Sequence, residues 1–177
     1  MKKVLLILLV ALILPVLLQA QELKQSPTQA VFMGSAWNDN SFSAQTDFGL
    51  KAGLQTALDQ GKGIWIRVLY AQWQLRPSQT TQAFTTSILT DWYIGKKWTF
   101  YIDFGGESYV DGPLTGTDLF AGVGTTRRVW TDNRPGYDIP AHLDLFGEIK
   151  FADGSGQITG SYVQINMGIK FGRGILP

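Results

Sequence analysis

The chain has 177 residues, no cysteine and one histidine, with 15 Lys and Arg against 14 Asp and Glu. The missing cysteines exclude a disulfide framework, a lipid-attachment cysteine and a thiolate metal site. The near-zero net charge leaves no basic excess for binding nucleic acid, and no nucleic-acid partner is expected.

At the N-terminus, Lys2 and Lys3 form a basic region and Val4–Leu18 is apolar apart from Pro15. Leu18-Gln19-Ala20 ends in a small residue suited to cleavage, which predicts a signal peptide over residues 1–20, with an uncleaved anchor as the alternative. Its removal leaves 157 of the 177 residues, enough for one domain, with 13 basic and 14 acidic side chains. No later run reaches the roughly 18 apolar residues of a membrane-spanning helix. Frequent aromatics and glycines, without helical periodicity, point to an all-β chain.

Residues 21–29, with Pro27, read as a polar periplasmic lead-in, and Ala30–Trp37 as a first, weakly alternating strand. Asp47–Leu58 alternates clearly, Phe48, Leu50, Ala52, Leu54 and Leu58 on one face against Asp47, Lys51 and Gln55 on the other. Asp59-Gln60-Gly61-Lys62 is a turn. In Gly63–Leu75 both faces are partly apolar. Arg67 decides between them, because an arginine facing mid-bilayer lipid costs about 2–4 kcal/mol in a barrel. Arg67 therefore points inward, and Trp65 and Trp73 follow it, lining an apolar pocket or sitting at the rims.

Arg76–Ala83 reads as a loop and Phe84–Ile94 as a strand. After the Gly95-Lys96 hairpin turn, Lys97–Glu107 alternates Trp98, Phe100, Ile102 and Phe104 against Thr99, Tyr101, Asp103 and Glu107. Ser108–Gly116 is a second loop and Thr117–Arg128 the next strand. Val129–Ile139 is read as a connection and Pro140–Ala152 as a strand with His142, Asp144, Phe146, Glu148 and Lys150 on one face. Asp153-Gly154-Ser155-Gly156 turns the chain into Ser161–Gly172, where Val163, Ile165, Met167, Ile169 and Phe171 alternate with polar residues and glycine. Residues 173–177 form a short tail.

This gives about eight strands over residues 30–172. The expected fold is a closed up-and-down antiparallel transmembrane β-barrel. Closure satisfies every backbone group in lipid, and an even strand number leaves both ends on one side. With both ends periplasmic, Val129–Ile139 is long for a periplasmic connection. Either a strand is miscounted there, or the sixth and seventh strands extend beyond the membrane.

In the last strand, Asn166, Gly168 and Phe171 resemble the C-terminal insertion signal of bacterial outer-membrane proteins, although this chain runs on through Arg173 to Pro177. With the leader and the strand count, the chain resembles small eight-stranded barrels of the OmpX/Ail family and the membrane domain of OmpA. The resemblance implies an outer-membrane protein of Gram-negative type, partnered by outer-membrane lipid and the barrel-insertion machinery. The first reading is a non-enzymatic monomer that stabilises the envelope or presents the loops Asn38–Thr46, Arg76–Ala83 and Ser108–Gly116 to an extracellular ligand, since loops on a rigid scaffold carry function.

The predicted interior holds Asp91, Asp103, Glu107, Asp144 and Glu148 with Lys51, Arg67, Arg128, Lys150 and Lys170. A barrel of eight strands is just wide enough for its own side chains, so a salt-bridged plug is expected. A narrow gated ion path or a small-ligand site is the alternative. No cofactor and no metal site is expected. Some barrels of this kind are lipid A deacylases or acyltransferases, which would give His142 and Asp144 a catalytic role. The deacylase pattern carries a serine two residues after its histidine, where this chain has Asp144, and Ser87 or Ser161 would have to be supplied by the fold. A soluble lipocalin-like barrel, apolar inside and polar outside, is the third reading. Trp92, Trp98, Trp130, Tyr70, Tyr93 and Tyr101 read as interfacial girdles. Gly105, Gly122, Gly124, Gly147 and Gly168 read as relief of crowding.

Overall fold

The computed structural model describes residues 28–39, 47–59, 63–76, 79–94, 97–111, 116–132, 134–135, 140–153 and 161–172. The predicted leader, most of the lead-in, the C-terminal tail and the tips of the connections lie outside them. Eight strands follow in order: β1 Thr28–Asp39, β2 Asp47–Asp59, β3 Ile64–Arg76, β4 Gln79–Ile94, β5 Trp98–Asp111, β6 Gly116–Asp132, β7 Ala141–Ala152 and β8 Tyr162–Gly172. Each pairs antiparallel with its sequence neighbours, and β1 pairs with β8 to close the barrel.

The register is sheared. Stepping from Arg128 on β6 through Asp144, Lys170, Val31, Gly53, Leu69, Thr85 and Glu107 returns to β6 at Asp118, ten residues away. A shear of ten over eight strands tilts them by about 40° from the axis. A 12-residue strand then rises roughly 30 Å, close to the thickness of a hydrocarbon core.

Three predicted connections are partly strand. β3 and β4 run to Arg76 and from Gln79, so most of Arg76–Ala83 is paired wall. The ladder from Ser108 to Thr117 continues through much of Ser108–Gly116. Val129–Asp132 belongs to the 17-residue β6, which passes a register shift between Arg128 and Trp130 and pairs with Ala141–Leu143. The strand count therefore stands and the sixth strand is simply long. Pro135 stands in a turn, and the paired segments flanking these connections lack clean apolar alternation. At the other end, β1 takes in Thr28 and Gln29, placing Gln29 in the wall.

Polarity divides the wall. Outward-facing side chains include Leu50, Leu54, Phe104, Leu119, Phe151, Ile165 and Met167, with Leu50 and Met167 75% and 70% exposed. Inward-facing side chains are buried and include charged groups from seven strands, β2 to β8. At the end of the barrel where β1 begins and β8 ends, Trp98 and Trp130 face outward, the Arg127 guanidinium lies 5.2 Å from the Trp98 ring, and Trp92 stacks on Phe100. A polar-tipped aromatic with a snorkelling arginine suits a lipid–water boundary. Tyr101 and Trp65 do not belong to this girdle. Both are buried inside, since period-two alternation from Asp103 and Arg67 carries them to the lumen.

Gly168 shows why one small residue is needed in β8. A Cβ added there would fall 2.8 Å from Met33 Cα on β1. Gly168→Ala is expected to destabilise the barrel by about 1–3 kcal/mol, the usual range for overpacking, read from urea unfolding of the refolded protein. Gly147 does not follow the crowding rationale. It faces outward, with nothing within 4 Å of an added Cβ.

Candidate functional site: the charged lumen

The ten charged residues predicted to face inward are buried or nearly so, and most of them meet in three tiers. The central tier is organised by Glu148 on β7. Arg67 Nη1 and Nη2 donate to Glu148 Oε2 at 2.8 and 2.9 Å, and the Tyr101 hydroxyl donates to the same oxygen at 2.8 Å. Asn166 Nδ2 donates to Oε1 at 2.8 Å. Lys150 Nζ lies 3.3 Å from Oε1 and 3.3 Å from Asp103 Oδ2, which is itself 3.5 Å from Arg67 Nη1. One carboxylate thereby ties β3, β5, β7 and β8 together across the lumen. Aromatic faces complete the packing, with Lys170 Nζ 4.5 Å from the Tyr101 ring centroid and Lys150 Nζ 3.8 Å from that of Phe120.

Toward the β3–β4 hairpin, Lys51 pairs with Glu107, and Thr85 donates to the same carboxylate at 3.2 Å. Above them the Tyr109 and Tyr162 hydroxyls are 3.2 Å apart, and Tyr162 donates to Asp118 Oδ2 at 3.3 Å. These rings pack with Phe120, Ala71, Ala83 and Ala152 as an apolar cluster at this end. Asp118 was not among the predicted lumen charges. Its signal was nevertheless present: it lies two residues before Phe120, opposite the outward Leu119. Replacing the Lys51–Glu107 pair jointly by Met and Leu is expected to leave stability within about 1 kcal/mol of the parent, because a buried pair gains little over an apolar isostere. A double-mutant cycle in urea checks this.

The terminus-end tier contains His142. Its Nδ1 lies 3.3 Å from the Pro140 carbonyl oxygen, which only accepts, so Nδ1 carries the proton. Nε2 then accepts from Gln29 Nε2 at 3.2 Å, and Gln29 Oε1 accepts from Gln55 Nε2 at 3.4 Å. Asp144 Oδ2 is 3.8 Å from His142 Nε2, but Asp144 is held by Arg128, whose Nε donates to Oδ1 at 2.9 Å. Both ring nitrogens are thus engaged by groups other than a serine. Neither Ser87 nor Ser161 contacts the ring among the described residues. Among those residues no group of three or more His, Cys, Asp or Glu side chains converges as for a metal.

The predicted insertion-signal residues separate by face. Asn166 points inward to Glu148, Gly168 lies against Met33, and Phe171 faces outward. Of the predicted ligand-presenting loops, residues 40–46, 77–78 and 112–115 lie outside the described residues.

Several buried polar atoms have no protein hydrogen-bond partner: Gln55 Oε1, Trp65 Nε1, Arg67 Nε, Ser87 Oγ, Asp103 Oδ1, Asn166 Oδ1, Ser35 Oγ and Thr126 Oγ1. A buried polar group left dry costs about 1–3 kcal/mol. The total would rival the 5–15 kcal/mol stability of an ordinary domain.

No protein-family model matches the chain. No curated protein sequence matches it either. Among solved structures, it is similar to a de novo designed transmembrane β-barrel, at 16% identity over 86% of this chain and 98% of that one, with a TM-score of 0.51. It is also similar to Ail, the attachment invasion locus protein of Yersinia pestis, at 9% identity over 85% of this chain and 99% of that one, with a TM-score of 0.50. At these identities the likeness is one of fold: a closed antiparallel barrel of eight strands, of the kind seen in transmembrane barrels.

Proposed function

We propose that this chain is a non-enzymatic outer-membrane β-barrel with a filled polar lumen, which strengthens the envelope and presents its hairpin-end connections for binding. One observation carries the reading: the wall is apolar outside and ion-paired inside, an arrangement stable only with hydrocarbon around it. In water the same surface would expose Leu50, Phe104, Leu119, Ile165 and Met167 together, far beyond the apolar patches of soluble monomers. A lipocalin-like barrel needs the opposite polarity.

The engagement of His142 by Gln29 and Pro140 supports a packing role over a catalytic one. Outer-membrane lipid and the insertion machinery are the partners this reading requires, with the monomer as the unit and the predicted leader as the means of export.

Spin labels on adjacent residues test it. A label at Ile165 is expected to show collisional relaxation by oxygen, which concentrates in lipid. A label at Gln164 is expected to be shielded from both oxygen and a water-soluble relaxant. Water-soluble quenching at Ile165 with oxygen quenching at Gln164 would overturn the assignment. Membrane fractionation with heat-shifted gel mobility checks the location and the closed fold together.

A further inference from the structure

We infer that the lumen contains a closed internal water-binding site, walled by Gln55, Trp65, Arg67, Ser87 and Asp103 on the four adjacent strands β2 to β5. Gln55 and Arg67 are direct register partners, as are Arg67 and Ser87. Trp65 lies two residues before Arg67 on the same face, and Asp103 Oδ2 is 3.5 Å from Arg67 Nη1. The side chains are buried, and each carries an atom with no protein partner.

The chemistry of those atoms selects water. Trp65 Nε1 and Arg67 Nε only donate, Gln55 Oε1 and Asp103 Oδ1 only accept, and Ser87 Oγ does either. A buried water makes about three hydrogen bonds of mixed sense, which this mixture supplies. An inorganic cation would meet two fixed donors, one of them on a guanidinium, and an anion would meet the Asp103 carboxylate. The Ser35 hydroxyl and Asn166 Oδ1, register partners on β1 and β8, offer a smaller second patch of the same kind. Apolar groups bound the site. Val31, Met33, Leu69, Leu89, Tyr101 and Phe146 cluster beside it, and Tyr109, Phe120 and Tyr162 pack at the hairpin end. The water is therefore held within the barrel and is not part of a through-going channel.

The test uses the full-length mature protein, refolded in micelles and labelled with nitrogen-15. The Trp65 indole N–H is expected to show a cross-relaxation peak at the water frequency, with the sign of long-lived bound water. Ser87→Val, which replaces the hydroxyl by apolar methyl groups, is expected to reduce that peak at least twofold while the heat-shifted gel mobility persists. A resolved Trp65 indole resonance without a water peak would overturn the proposal. So would a Ser87→Val barrel with a peak of parental intensity. Should Ser87→Val fail to fold, the parental spectrum alone decides. Ionic conductance in planar bilayers is expected to match that of protein-free membranes, and regular single-channel steps would overturn the closed site. None of these readouts depends on which cellular membrane holds the barrel.

Discussion

Replacing Glu148 by alanine is expected to lower the unfolding free energy by about 3–5 kcal/mol, the largest loss available from a single charged residue in this lumen. The carboxylate accepts from Arg67 twice and from Tyr101 and Asn166 once each, and it faces Lys150 at 3.3 Å. Its removal leaves Arg67 and Lys150 sharing Asp103 alone among the described carboxylates within 4 Å. The penalty arises chiefly from the stranded cations, not from the attraction that is lost. Glu148→Leu combined with Arg67→Leu should therefore recover much of the deficit. Urea unfolding of the refolded protein, followed by tryptophan emission or gel mobility, measures both. A loss below about 1 kcal/mol for Glu148→Ala would indicate that solvent freely screens the central tier.

The second large effect lies one residue away, on the opposite face. Ile149 pairs with Val123 and Ile165, all three exposed on the outer wall. Ile149→Arg is expected to cost about 2–4 kcal/mol in lipid vesicles, the range for a cation at the bilayer midplane of a barrel. The same substitution at Trp98, near the boundary where Arg127 is already tolerated, should cost about 0–1 kcal/mol. Equal costs at the two positions, measured by unfolding from vesicles, would contradict a lipid-facing outer wall. Adjacent residues of β7 thus report on two different media.

Alternation was strong enough to reveal β2, β5, β7 and β8 from the sequence, because one face of each is almost wholly apolar. β3 was harder, with Trp65 and Leu69 sharing the inward face with Arg67, and the cost of an arginine in lipid settled its orientation. Residues were misread where that argument was not applied. By residue type alone Tyr101 reads as a girdle residue, although Asp103, two positions on, places it inside. Asp118 stands at the start of its strand, where too few residues precede it for alternation to assign a face. The end of the overlong β6 reads as a connection at Val129–Ile139, since Asp132 to Gly136 reads as a turn and a register shift interrupts its alternation. Which opposite charges meet was not legible at all. Pairing across the lumen depends on the shear, and no local pattern encodes a shift accumulated over eight strands.

The Glu148 hub also bears on the order of assembly. Its partners come from positions 67, 101, 150 and 166, so the knot awaits a chain synthesised into its last strand. Hairpins form from neighbours; this junction needs the circle complete. It acts as a latch fastened after closure, resisting the barrel's reopening far more than it hastens its making.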